Sequence, residues 1–276
     1  MASKLLALAR MATAVVFPSL AAVPNTDFSD LWWNPAESGW GVGLQHQGDV
    51  IFLTLFVYGA DGSGTWLVAP SVQADVATAQ WQGSLYRATG PAFSAPFEQN
   101  VQAVPAGNVT LDFAGPASAT LTYRVDGVVV TKSITRMTWR EPSAAGSYYG
   151  GFTTEVAECV DPTRIGDYDF LGTMVVTHSV RQARAAITSG STGLPSTCTF
   201  SGATSQAGRL GTWSGTFNCT FVIGLDGRGE NVARTLRTGT FTLQDVSITS
   251  NGFHGVLTAA DQDCTFRGRF GGTRLP

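Results

Sequence analysis

The chain has 276 residues, a formal net charge of −3 and only 13% charged residues, roughly half the charged share of an average globular protein. Such a mildly acidic chain lacks the basic footprint of a nucleic-acid binder. No apolar run reaches the roughly 20 residues of a spanning helix, and 43% hydrophobic with 11% aromatic residues is too apolar for disorder. The 32 glycines recur every few residues, which excludes coiled coils and helical repeats.

In chain order, residues 1–22 have the form of a secretory signal. Lys4 and Arg10 carry positive charge, Met11–Leu20 is apolar, and small residues at 19–22 offer a cleavage site. Residues 23–140 read as a tryptophan-rich β domain. Gly39–Leu44 alternates glycine with apolar residues, Val50–Tyr58 is a continuous apolar run, and Ala60–Gly64 is turn chemistry before Thr65–Ala69. Trp81–Tyr86, Val109–Phe113 and Ala119–Val125 follow; Asp126-Gly127 predicts a tight hairpin turn before Val128–Met137. About seven strands result, joined by hairpins into an antiparallel barrel or sandwich. Helical spacing at Val72, Val76 and Ala79, and at Val180, Ala183 and Ile187, allows one short helix in each place.

Small residues and Pro142 mark a linker at 141–146. Residues 147–276 then read as a second antiparallel meander of about eight strands, a lipocalin- or avidin-like barrel in architecture only. The fold class is thus all-β, in two domains. Four cysteines, Cys159, Cys198, Cys219 and Cys264, all fall in this half at spacings unlike zinc or redox motifs. In an exported protein they form two disulfides. Of the three pairings, Cys198–Cys219 across a hairpin and Cys159–Cys264 joining the ends of the half are favoured.

Six of seven tryptophans precede the linker, and the densest phrase is Leu31-Trp32-Trp33-Asn34-Pro35-Ala36-Glu37-Ser38-Gly39-Trp40-Gly41. With the following turn and aromatic strand, the Gly83–Phe93 segment and the Cys198–Arg274 stretch, it resembles a group of exported proteobacterial β-rich proteins of unknown function. Export and a β-rich fold are what that resemblance implies; it carries no activity.

Trp32, Trp33 and Trp40 around the Asn34-Pro35 turn are candidates for an aromatic platform, with Asn34, Glu37 and Gln45 as hydrogen-bonding rim and Tyr58 and Trp66 alongside. The competing expectation is that the tryptophans plug a barrel end. His46, His178 and His254 show no metal-ligand spacing, and no nucleophile elbow occurs, so neither a metal, a cofactor nor catalytic residues are assigned. The expected function is non-enzymatic binding, by an exported monomer in the periplasm or medium. Its ligand is a carbohydrate or small apolar molecule, taken by the tryptophan face or a barrel mouth. The alternatives are a hydrolase with paired carboxylates, or a partner or inhibitor of a secreted protein.

Overall fold

The computed structural model describes residues 26–97, 101–190, 195–225 and 231–276; the expected signal, residues 1–22, lies outside them. The described chain is nearly all strand and forms two closed antiparallel barrels of eight strands each. The first comprises β1 (Asp30–Trp33), β2 (Gly41–Gln47), β3 (Val50–Tyr58), β4 (Gly64–Asp75), β5 (Gln80–Thr89), β6 (Gln102–Gly115), β7 (Ser118–Val125) and β8 (Val128–Arg136). The second comprises β9 (Gly146–Cys159), β10 (Gly166–Ser179), β11 (Gln182–Ser189), β12 (Ser196–Ala207), β13 (Leu210–Leu225), β14 (Asn231–Ile248), β15 (Gly252–Asp261) and β16 (Cys264–Arg274). Consecutive strands pair throughout, and each barrel closes by pairing its first strand with its last: Trp32 opposite Arg136, and Phe152 opposite Phe270.

The first barrel has eight strands rather than seven, because the short β1 is itself paired on both edges. Neither suggested helix forms. β4 runs on to Asp75 and ends in a turn, and residues 182–189 are β11. Apolar residues with helical spacing become strand when both neighbouring strands offer hydrogen-bond partners. The disulfides are Cys159–Cys264 and Cys198–Cys219; the former ties β9 to β16, and so closes the second barrel covalently.

Alternation sorts the first barrel cleanly. Leu53, Leu55, Leu67, Leu85, Leu111 and Leu121 point inward and are fully buried, while Phe52, Phe56 and Trp66 point out. The second barrel has an aromatic interior instead, built on Phe152, Phe170, Phe200, Phe217, Phe241, Phe253 and Phe270.

The two barrels repeat one structural device. In the first, the Trp32 indole N–H donates to Phe28 O at 3.1 Å, and the Phe28 N–H donates to His46 Nδ1 on the second strand. Arg136 on the last strand sits 5.0 Å over the Trp32 ring and donates to Ser29 O. In the second, the Tyr148 hydroxyl donates to Ala144 O at 2.7 Å, and the Ala144 N–H donates to His178 Nδ1. Arg274 sits 5.0 Å over the Tyr148 ring and donates to Ala145 O. The lead-in turns match too: Ser29 N–H bonds the Asp27 carboxylate where Ala145 N–H bonds the Ser143 hydroxyl. Met137 N–H donates to Leu31 O where Leu275 N–H donates to Ser147 O. Six paired contacts in one geometry make the second barrel a structural repeat of the first.

The barrels meet through the turn between β12 and β13. Gly208 N–H donates to Thr138 Oγ1, and Arg209 N–H donates to Asp30 Oδ2 at 2.7 Å, the same oxygen that pairs with Arg136 at 3.0 Å. Gly208 has φ +59, and a Cβ there would collide with the Asp30 carboxylate, so only glycine fits. Beside it, a bulge in β14 holds Asp245 at φ +52 and aims its carboxylate at the Thr26 hydroxyl.

Burial lowers the pKa of Arg136, and the Asp30 carboxylate opposes that shift. With both side chains withdrawn from water, removing one leaves the other buried and unpaired. Arg136→Ala is therefore expected to cost about 3–5 kcal/mol in urea unfolding. Arg274→Ala is expected to cost less, because Arg274 is half-buried and has no carboxylate partner among the described residues.

Candidate functional site

Sequence patterning singled out the tryptophan phrase, and the structure distributes it over three surfaces. Trp32 is fully buried inside the first barrel with its indole N–H bonded to Phe28 O. It cannot belong to an exposed platform, which corrects that expectation for this residue. Adjacent residues of a strand face opposite ways, so Trp33 is on the outer wall, half-buried. Asn34 organises the following turn: its side chain accepts from Ala36 N–H and its carbonyl from Glu37 N–H.

That turn returns the chain over the barrel end. Trp40 packs, half-buried, on the first core and donates to Glu37 at 3.1 Å. Lys132 donates to the same carboxylate at 2.7 Å and lies 6.0 Å from the Trp40 ring. The hydrogen bond from Lys132, joined by that from Trp40, holds the Glu37 carboxyl below its usual range. The opposite end is closed by Phe28, stacked on Phe113 with centroids 3.6 Å apart. Trp32, Trp40 and Trp81 therefore close or fill the first barrel.

Gln45, Tyr58 and Trp66 lie on the outer wall. Tyr58 donates to Gly39 O, and Trp66 stands opposite Phe56 across β3 and β4. Phe52, Phe56, Tyr58 and Trp66 are exposed on this wall, the latter two by 61% and 52%. Their strand positions are outward because the alternate positions fill the core.

The best-formed concave site lies elsewhere, at the end of the second barrel that carries both disulfides. A cavity of about 370 Å³ is walled by Phe152, Phe200, Phe217, Phe221, Phe266 and Leu257. The rings meet edge to face or tilted, as Phe152–Phe200 at 5.7 Å, Phe200–Phe217 at 5.8 Å and Phe217–Phe266 at 6.4 Å. Ala259 opens room among them, and Cys219 of the β12–β13 disulfide completes the wall.

The Thr154 hydroxyl and the two arginines of this cavity are already engaged. The Thr154 hydroxyl donates to Tyr168 O. Arg164 pairs with Asp263 at 2.9 Å, and Arg237 pairs with Asp261 and Asp263 at 3.3 and 3.4 Å. The other Asp261 oxygen accepts from the N–H groups of Asp263 and Cys264 at 2.8 and 2.7 Å. Burial pushes the Tyr168 phenol upward, with Arg237 pulling it back. The site thus offers an aromatic interior under a charge-balanced rim, with no carboxylate free to act as an acid or base among the rim residues described.

Of this cavity's wall the sequence reading singled out Cys219, as half of a disulfide, and none of the phenylalanines, which alternate along strands as any core would. The available signal is the run of Phe200, Phe217, Phe221 and Phe266 flanking three of the four cysteines. Comparison with protein-family models, curated proteins and solved structures finds no match for the chain.

The Cys159–Cys264 disulfide spans 105 residues and Cys198–Cys219 spans 21. The chain-entropy model assigns about 4.7 kcal/mol to a loop of about 100 residues and about 3 kcal/mol to a short one. Replacing the first pair by alanines is therefore expected to lower the denaturation midpoint more than replacing the second.

Proposed function

We propose that this is an exported, non-enzymatic binding protein that takes a small apolar, preferably aromatic, molecule into the phenylalanine-lined cavity of the second barrel. The observation that carries this is a cavity of about 370 Å³ whose wall is aromatic and whose arginines are paired with carboxylates without a ligand. Its volume lies within the usual range of small-molecule sites and has room for roughly 12–15 non-hydrogen atoms at protein-like packing. Binding there gains apolar burial without desolvating an unpaired charge.

Two disulfides fit an oxidising compartment such as the periplasm or the medium, and no helix among the described residues is long and apolar enough to cross a membrane. A hydrolase on paired carboxylates is less well supported, because Asp261 and Asp263 are held by arginines and backbone N–H groups. A second reading, contact with a glycan or a secreted protein, has one observation in its favour: the row of Phe52, Phe56, Tyr58 and Trp66 on the outer wall of the first barrel.

Naphthalene titrated calorimetrically tests the first reading. Saturable binding with a negative heat-capacity change is expected. Ala259→Phe fills the cavity and should weaken binding at least roughly tenfold, about 1.4 kcal/mol, while leaving the melting temperature the same or higher. Trp66→Ala should leave it unchanged. Absence of binding, or equal binding by Ala259→Phe, contradicts the assignment.

A further inference from the structure

The second barrel has another cavity, about 560 Å³, at its opposite end, where it meets the first barrel. The structural repeat says why it is there. In the first barrel the corresponding end is filled by Phe28, stacked on Phe113, edge-on to Trp81 at 6.2 Å and against His46 at 5.6 Å. The second barrel keeps the matching walls: His178 on its second strand, and Trp213 on its fifth, opposite Leu243 as Trp81 is opposite Leu111. It replaces the plug. Ala144 stands where Phe28 stands, and Val246 stands near the end of the sixth strand where Phe113 does. Two rings are thus missing from a frame that is otherwise retained.

The polar groups of the residues around this space are not all satisfied. Trp213 is 3% exposed, and its indole N–H has no hydrogen-bond partner among the described residues, an arrangement that costs free energy. His178 Nδ1 accepts from Ala144 N–H, so the neutral ring carries its proton on Nε2 and donates to the Thr204 hydroxyl at 3.2 Å. The Thr204 hydroxyl hydrogen is then available to a second acceptor. At the mouth, Arg181 and Glu141 are both exposed, supply one charge of each sign, and form no ion pair among the described residues.

We propose that this cavity is a second ligand site, for a small aromatic zwitterion of the free aromatic amino-acid class. Its ring takes the place that Phe28 fills in the first barrel, beside Trp213, and its carboxylate and ammonium face Arg181 and Glu141. The site is separate from the phenylalanine-lined cavity and does not depend on the function proposed for that end.

The test is a titration of isotope-labelled protein with L-phenylalanine, followed at the indole N–H resonances, with Trp213→Phe assigning the relevant one. A saturable shift of the Trp213 resonance is expected, with a Kd of roughly 1 mM or tighter. Phenylacetate and 2-phenylethylamine, each lacking one charge, should bind at least roughly tenfold more weakly. Ala144→Phe restores the plug and should abolish the shift, while naphthalene binding at the other end is unchanged. Arg181→Gln, on the exposed mouth, should weaken L-phenylalanine without altering the fold. No saturable shift with any of the three probes, an unchanged affinity in Ala144→Phe or Arg181→Gln, or equal binding of phenylacetate would overturn the proposal.

Discussion

The guanidinium of Arg136, held between the Trp32 ring and the carbonyls of the segment that leads into β1, is the contact on which the architecture turns. A barrel closes only if its first and last strands pair, and β1 is only four residues long. Ladder hydrogen bonds alone give so short a strand little to hold. The arginine adds a side-chain clasp across the same seam. It covers the ring, donates to Ser29 O and Asp27 O, and pairs with Asp30. Since Asp30 also accepts from the Arg209 N–H, one carboxylate serves both the closure of the first barrel and the docking of the second. Charges this deep are tolerable only with complete partnering, which ties the seam, the lead-in and the inter-barrel contact into one unit.

From that shared frame the two barrels diverge in what they contain. The first is packed with leucine, isoleucine and valine, and closed at its ends by Phe28 and Trp40, each held by named partners. The second has the same seam but a wide phenylalanine interior, a small residue at the plug position, and a disulfide in place of extra closing contacts. Large flat rings leave gaps that branched aliphatic side chains fill, and hollow barrels are less stable for the same number of strands. Two disulfides in the hollow barrel and none in the filled one are the compensation expected on that account.

Much of this was legible in the amino-acid order. The alternation along Val50–Tyr58 and the turn at Asp126-Gly127 point to antiparallel meanders, barrel or sandwich in the first half, and the cysteine positions favour the observed disulfide pairs. Residues 137–145 carry no strand, and β9 begins at Gly146. The repeat stayed hidden because its conserved element is a geometry, not a word. Trp32-Trp33 has become Tyr148-Tyr149, and Thr135-Arg136-Met137 has become Thr273-Arg274-Leu275, far apart in the chain. The ring, its i−4 carbonyl and the arginine meet only after the barrel closes. The platform and the barrel plug, both open for Trp32 in the sequence, are indistinguishable there for the same reason: a tryptophan whose N–H bonds a local carbonyl looks, in one dimension, like a tryptophan beside a turn. Neither cavity is visible in sequence, since an inward phenylalanine has the same strand period whether or not it touches the opposite wall.

The account stands on a filled first barrel and a hollow second one. Xenon, an apolar probe that enters dry cavities of about 150 Å³ and larger, measures this without assuming any natural ligand. Crystals of the oxidised protein under xenon pressure should show xenon among Phe152, Phe200 and Phe217 and none inside the first barrel. Xenon in both barrels, or in neither, would contradict the account.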